Sequence, residues 1–343
     1  MTRLRNSAAR LRKLSVVLES AKTMLIVMQN NPDPDAIAAA AGLREIANEL
    51  HGISCSVVHA GTVGRAENVA LVKYLGLNTR PVEKVDVERF DRIAMVDAQP
   101  GAGNVKFNPD IRLDVVIDHH PIRRETRSAR FTDVRSRYGA TSTILYEYLR
   151  AAHLDVPTSL ATALVYGIRS DTQDLGREST RADVDAFLDL YPSANARALG
   201  RIVSAPLPRT YFSSLREALS SARLHGHVVV AELGELDSPD MVAETADLLL
   251  RVEGVSWSMC IGEVDRCLHI SLRSTDREGH AGRVARNLGG RLGFGGGHQS
   301  LAAAQIPIDG RDRTSVTKLV RGLKRRFLRA TDAADSSGEP LAG

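Results

Sequence analysis

The acidic and imidazole side chains of this chain fall in a few short clusters whose spacing points to divalent-metal chemistry. The first is Gln29-Asn-Asn-Pro-Asp-Pro-Asp35 and the second is Asp97, at the end of an apolar run. The third is Asp118-His119-His120, and the fourth is Asp171 within Gly167-Ile-Arg-Ser-Asp-Thr172. Brought together, Asp33, Asp35, Asp97 and Asp171 would set four formal negative charges side by side. Like charges 4 Å apart repel by roughly 1 kcal/mol in water and about 4 kcal/mol at an effective dielectric of 20. Two divalent cations would offset that charge in full. Carboxylate and imidazole ligands without a thiolate favour Mn²⁺ first, with Mg²⁺ or Co²⁺ as alternatives. Two such ions about 3.5–4 Å apart clamp both oxygens of an in-line phosphoryl displacement and generate a hydroxide nucleophile. Each cluster also has a plainer reading: Asp35 as a helix N-cap, Asp97 as a loop cap, the His pair as ordinary core or surface, Pro32 and Pro34 as turn stiffeners. Four clusters converging on one edge are hard to account for as caps.

The elements that would bring them together are legible as alternating strand and helix signals. Met24–Met28 is an all-apolar run, as expected of a strand buried on both faces. Ala36–Leu50 is an Ala-rich helix, Ser54–His59 a strand, Glu67–Leu75 a helix, and Arg92–Val96 and Asp114–Ile117 two further strands. Helices are expected over about Thr141–Ala152 and Ser159–Arg169. Strands separated by helices imply βαβ units and a parallel sheet. In such a sheet ligands sit beyond the carboxyl ends of the strands, which is where the acids fall. From Tyr191 the prolines at 192, 206 and 208 predict a connection over 191–214. Beyond it Val228–Ala231, Val255–Ile261 and Leu268–Leu272 read as strands of a smaller α/β domain over 215–330, and 331–343 as a disordered tail.

Composition narrows the class. The chain has 343 residues, 43% hydrophobic and 25% charged, enough for two globular domains and contrary to wholesale disorder. Its longest apolar runs are too short to span a bilayer, and a polar segment follows the basic start where a signal peptide needs an apolar core. A cytoplasmic protein with no membrane partner is expected. Cys55, Cys260 and Cys267 sit outside any CxxC and read as small hydrophobes of a reducing compartment. A net charge of +4 suits an anionic substrate. Only 4% aromatic residues argue against a base-stacking surface, and no long duplex partner is expected. The basic stretches at Arg3–Lys13 and Lys318–Arg329 read as solvated faces.

The second half carries chemistry of its own. Ser271-Leu-Arg-Ser274 is followed by Gly289-Gly290 and then Phe294-Gly-Gly-Gly-His-Gln-Ser300. Consecutive glycines allow backbone N–H groups to approach an anion closely. Arg273 could pair bidentately with a phosphate, and His298 could donate to one. Arg273, Ser274, Gly295, Gly296, Gly297 and His298 are therefore candidate substrate-binding residues.

Together these segments resemble the DHH phosphoesterase superfamily. Its motifs match Asn31–Ile37, Val96-Asp97, Val116–Pro121, Gly139–Ile144 and Gly167–Thr172, in order across the first half, and its DHHA1 domain matches about Leu215–Pro307. The resemblance implies a parallel-sheet DHH catalytic domain over 1–190 and a smaller DHHA1 substrate-binding domain, with the active site in the cleft between them. It places Asp33 in one metal site, Asp35, His119 and Asp171 in the other, and Asp97 as the bridge. His120 would lie close to the substrate phosphate, making Asp97 and His120 the catalytic pair, and Asp118 would orient His119. The family usually has His where this chain has Gln29, whose carbonyl makes it a weaker candidate ligand. The implied function is hydrolysis of a small nucleotide or short oligonucleotide (nanoRNA, linear or cyclic dinucleotide, or pAp) by metal-activated water, in a homodimer. The DHHA1 match counts against the family II pyrophosphatase branch. The alternatives are an exopolyphosphatase-like phosphatase and a catalytically weakened nucleotide-binding regulator.

Overall fold

In the computed structural model, described for residues 2–59, 61–102, 105, 108, 111–176, 178–276, 278–297, 299–334 and 337–342, the chain forms two compact units, Met1–Pro206 and Leu207–Gly343. The first unit runs α1 (Thr2–Leu18), β1 (Thr23–Met28), α2 (Pro34–His51), β2 (Ser54–His59), α3 (Ala66–Tyr74), β3 (Arg80–Pro81), β4 (Arg92–Val96), β5 (Val115–Asp118), β6 (Phe131–Val134), α4 (Thr141–Ala151), α5 (Thr158–Asp171), α6 (Arg181–Leu190) and α7 (Ala196–Val203). Its sheet has the order β3-β2-β1-β4-β5-β6, and every pairing in it is parallel.

From β1 the chain first builds outward through β2 and β3, then returns to β4 and builds the other way. The strand order therefore reverses between β1 and β4, which pair from Met24–Arg92 to Val27–Met95. That reversal opens a crevice at their carboxyl ends. Gln29–Asp35 leaves the end of one strand and Asp97 the end of the other, so the topology alone carries these acids to one place.

Alternation along β1 explains how it is buried on both faces. Met24, Ile26 and Met28 enter the large core beneath α1, α2, α4 and α5, while Leu25 and Val27 enter a smaller core with Ile93, Met95 and Val116. The Ala-rich face of α2 lets neighbouring helices pack tightly. At Gly167 on α5, a Cβ would lie 2.4 Å from Ser142 Oγ and 3.1 Å from Asp35 Oδ1. Only glycine permits this approach.

The second unit runs α8 (Arg209–Ser221), β7 (Arg223–His225), β8 (Val228–Glu235), α9 (Asp240–Leu249), β9 (Trp257–Val264), β10 (Cys267–Ser274), α10 (Ala281–Gly289), β11 (Phe294–Gly297), β12 (Leu301–Pro307), α11 (Arg313–Ala330) and β13 (Glu339–Pro340). Its sheet has the order β11-β12-β10-β9-β8-β7-β13, parallel between β8 and β9 and antiparallel elsewhere. One face packs Val284, Leu288, Leu323 and Phe327 of α10 and α11. The other packs Ala218 of α8 with Met241, Val242 and Leu249 of α9.

Two expectations change here. The 191–214 stretch is not an open connection: its prolines mark helix starts and ends, Ala198, Leu199 and Ile202 of α7 are buried, and the division between the units falls inside it at Pro206. The tail over 331–343 is not disordered where it is described. Thr331 and Ala333 are buried, and β13 pairs with β7 at Glu339–Leu224 and Pro340–Arg223. Small and polar composition hid a short edge strand. No described helix is long and apolar enough to cross a membrane.

Candidate metal centre

Asp33 and Asp35 exchange the roles that their sequence context suggests. Asp33 is the N-cap of α2: its Oδ1 accepts from Ala36 N at 2.9 Å, and Pro34 follows as the first helical residue. Its Oδ2 accepts from Gln29 Nε2 at 3.0 Å. Asp35, fully buried, points instead at the start of α4, where it accepts from Thr141 N at 2.6 Å and Ser142 N at 2.8 Å. Those N–H groups lack partners within their own helix, so a carboxylate there is favoured by both hydrogen bonds and the helix dipole.

Asp97 follows β4 in the left-handed region, with φ 53°. The turn is fixed by its N–H, which donates to Ile117 O at 3.0 Å, and its Oδ1 accepts from Thr141 Oγ1 at 2.8 Å. Its Oδ2 is buried and has no hydrogen-bond partner.

The histidines follow β5. The His119 Nδ1 lies 3.1 Å from Tyr138 O, and since a carbonyl only accepts, Nδ1 carries the proton. The opposite nitrogen, Nε2, then faces the acids: it is 3.0 Å from Asp171 Oδ2 and 3.5 Å from Asp97 Oδ1, yet buried without an aligned hydrogen bond. Asp118 does not orient this ring, contrary to expectation. Its Oδ1 lies 2.8 Å from His120 Nδ1 and accepts from the backbone N–H of His119 at 2.7 Å, so the ring it holds is that of His120.

Behind Asp118 stands Gln99, a residue the sequence reading missed. Its Nε2 donates to Asp118 Oδ2 at 2.6 Å and approaches His120 O at 3.4 Å and Pro121 O at 3.2 Å. Its Oε1 accepts from Arg123 N at 2.8 Å and Thr126 Oγ1 at 2.7 Å. Tyr138 was missed as well. Its carbonyl fixes His119, while its hydroxyl donates to Glu147 Oε1 at 3.0 Å. Glu147 also accepts from Arg135 Nη1 at 2.6 Å and from Ser7 Oγ of α1 at 2.5 Å. Arg135 forks onto Asp133, which Arg10 of α1 also meets. The missed residues Thr141 and Ser142 lie in the Gly139–Ile144 motif, whose letters match the family without disclosing what each residue holds.

Electrostatics follows the geometry. Burial first, then the charge of Asp171, pushes Asp33 up to about 6 and Asp35 up to about 7. Burial and the neighbouring Asp35 and Asp33 hold Asp97 well above the carboxylate range. Burial acts to lower His119, but the close contact with the charged Asp171 outweighs it and raises the ring to about 10. Asp118 goes the other way: burial acts to raise it, and the bond and charge of His120 prevail, at about 2. The protein groups alone retain protons that a cation would displace.

Ligand atoms of Asp35, Asp97, His119 and Asp171 lie within 4.8 Å of one another, and so do those of Asp97, Asp118, His119 and His120. Asp97, whose Oδ2 is buried without a hydrogen-bond partner, and His119 are common to both sets, and the oxygen and imidazole donors of the first fit a divalent ion such as Mn²⁺. In the second set Asp118 is already taken up by His120 and Gln99. Asp33 belongs to neither set: its two oxygens already accept from Ala36 N and Gln29 Nε2.

In the second unit, Arg273 is buried, with Nε 2.5 Å and Nη2 3.4 Å from the carboxylate of Asp247. The fork expected for a phosphate grips a carboxylate. Ser274 is buried too, its Oγ accepting from Asp276 N at 3.0 Å. Gly295, Gly296 and Gly297 form strand β11 on β12 and not a loop nest, and a Cβ at Gly295 would meet Ala285 O of α10 at 2.2 Å. His298 lies outside the described residues.

A cluster of acids and imidazoles at the reversal point of a parallel sheet is followed by a separate mixed-sheet unit, and each unit matches a domain of one known class of protein. Residues 23–168 match the model of the DHH family, N-terminal domain, and residues 225–322 match the DHHA1 domain. The chain belongs to the DHH family. It is 33% identical over 320 residues to an uncharacterized protein of Methanocaldococcus jannaschii, covering 93% of this chain and 65% of that protein's length. It is 25% identical over 240 residues to a probable manganese-dependent inorganic pyrophosphatase of Streptococcus agalactiae, covering 67% of this chain and 76% of that one. In fold it resembles an exopolyphosphatase-related protein from Bacteroides fragilis, with a TM-score of 0.73, 16% identity, and 94% and 98% of the two chains covered.

Proposed function

We propose that the chain is a divalent-metal-dependent phosphoesterase, with Mn²⁺ as the preferred ion and a small nucleotide or short oligonucleotide as substrate. The observation that carries this reading is a four-residue set of carboxylates and imidazole whose ligand atoms converge within 4.8 Å, in which Asp97 Oδ2 is buried without a hydrogen-bond partner. Leaving a buried carboxylate oxygen unsatisfied costs about 1–3 kcal/mol, more where charged, and a cation among these ligands would offset that cost. Asp35, Asp97, His119 and Asp171 would hold the ion. Bound divalent ions would supply a water of lowered pKa and positive charge against the phosphoryl oxygens.

The chain's own groups do the rest. Thr141 and the N-terminus of α4 keep Asp35 and Asp97 aimed inward, and Tyr138 O engages His119 Nδ1, leaving Nε2 as the atom a cation would take up in place of its proton. Asp118 accepts from His120 Nδ1–H and holds that ring in place, and the opposite nitrogen would donate to a phosphate oxygen in the imidazolium form, as charge builds there. The manganese dependence in the printed name of the streptococcal relative supports the choice of ion, and the DHHA1 match supports a nucleotide over pyrophosphate. The test is a metal-by-substrate panel comparing a dinucleotide, polyphosphate and pyrophosphate, together with Asp97→Asn. We expect dinucleotide turnover that disappears in chelator and returns best with Mn²⁺, and loss of both turnover and calorimetric Mn²⁺ binding in the variant. Full turnover in chelator would refute metal dependence; a preference for polyphosphate would favour the exopolyphosphatase-like reading.

A further inference from the structure

The loop after His120 carries a feature that the metal centre does not use. Ile122, Arg123, Arg124 and Arg127 line an open concavity of about 490 Å³. All four side chains are exposed, and among the described residues none of the three guanidinium groups has a carboxylate partner. Arg130, close by in the chain, does pair, with Asp114 Oδ1 at 3.2 Å, so a local shortage of acids is not the reason. The loop is also held in place. Arg123 N and Thr126 Oγ1 both donate to Gln99 Oε1, whose amide nitrogen donates to Asp118, and Asp118 holds His120. One buried amide therefore fixes the arginine loop and the candidate phosphate-facing histidine in a common frame.

We propose that Arg123, Arg124 and Arg127 form an anion subsite for a second phosphate group of the substrate, next to the one that is attacked. This rests on the phosphoesterase reading and names which phosphoesters it favours. Arg123 follows His120 by three residues, so their Cα atoms are at most about 11 Å apart. That is within the span of two phosphates on one small nucleotide. Guanidinium groups suit the task because their planar fork matches phosphate oxygens and never loses its charge.

The test uses full-length protein loaded with Mn²⁺ and a methylphosphonate-linked diadenylate, which resists hydrolysis, with and without a 5′-phosphate. Calorimetry compares the parent with an Arg123→Gln, Arg124→Gln, Arg127→Gln variant, whose exposed substitutions leave the Arg123 backbone bond to Gln99 intact. We expect the 5′-phosphate to tighten binding to the parent at least tenfold, with that advantage falling to less than twofold in the variant and shrinking at high salt. No advantage in the parent, or an advantage that survives in the variant, overturns the subsite. Turnover of the ordinary phosphodiester is measured alongside. An arginine-dependent advantage without turnover leaves the subsite standing and refutes the enzyme reading, whereas turnover without the advantage does the reverse.

Discussion

Replacing Gln99 by glutamate tests the frame of the candidate site with almost no change in shape. Gln99 Nε2 donates to Asp118 Oδ2 at 2.6 Å, so Gln99→Glu would set an oxygen against a carboxylate that stays charged down to about pH 2. At an effective dielectric of 20 that contact repels by about 6 kcal/mol. The new glutamate can escape by binding a proton, which from a reference pKa near 4.3 costs about 5 kcal/mol at pH 8 and about 1 kcal/mol at pH 5. Protonation is the cheaper route, so it sets the penalty. The folded-state pKa of the new group is raised, hence the destabilisation is largest at high pH and fades as pH falls toward the unfolded value. The protonated acid can still donate once to Asp118 but loses the weaker contacts to His120 O and Pro121 O, adding about 1 kcal/mol at every pH. The assay is urea unfolding in chelator across pH 5–8, followed by far-UV circular dichroism. The single tryptophan, Trp257, belongs to the second unit, so its fluorescence serves as an internal reference. A destabilisation below 1 kcal/mol at pH 8, or one that does not change with pH, would refute the placement of Gln99 against a charged Asp118.

Gly167→Ala should weaken Mn²⁺ binding at least tenfold by calorimetry, because the added methyl lies 3.1 Å from Asp35 Oδ1 and 2.4 Å from Ser142 Oγ; overpacking of about 1–3 kcal/mol should outweigh a gain in helix propensity of about 1 kcal/mol. Unaltered binding would mean that α2 and α5 are not held as described. Gln29→His replaces an amide that donates to Asp33 with a ring able to ligate, and half-saturation should shift to lower Mn²⁺; an unchanged titration would leave Gln29 as a partner of Asp33 alone. In chelator the protein should lose stability as pH rises from about 4 to 7, because Asp33 and Asp35 keep protons in the folded state that the unfolded chain releases earlier, and to lose more as His119 gives up its proton toward pH 10. Thermal melts with a flat pH profile over that range would contradict the burial of these acids.

The sequence disclosed the candidate ligands better than the frame around them. Asp35, Asp97, His119 and Asp171 stand at the ends of strongly patterned elements, and the switch in strand order brings them together. Asp118 was misassigned because the motif does not disclose which ring its carboxylate meets, and the turn after β5 directs it to that of His120. Gln99 and Tyr138 escaped because one acts through a long-range amide and the other through a backbone carbonyl, and neither leaves a compositional trace. Strand β11 shows the opposite failure: its glycines resemble an anion nest, but Gly295 is required by the close approach of α10 and Gly297 by that of β12. Short strands such as β3, β6 and β13 were missed because two to four residues carry no period.

The chain of bonds from Ser7 and Arg10 through Glu147, Asp133 and Arg135 to Tyr138, and thence to His119, has a consequence for communication within the first unit. Helix α1 contributes no residue to either candidate ligand set, yet it would share a free-energy balance with an ion bound there. Linkage makes that sharing reciprocal: if docked α1 helps aim His119, then a cation on His119 must help dock α1. Metal loading should therefore slow hydrogen exchange along an outer helix that never meets the ion, and loosening that helix should be felt as a weaker grip on the cation.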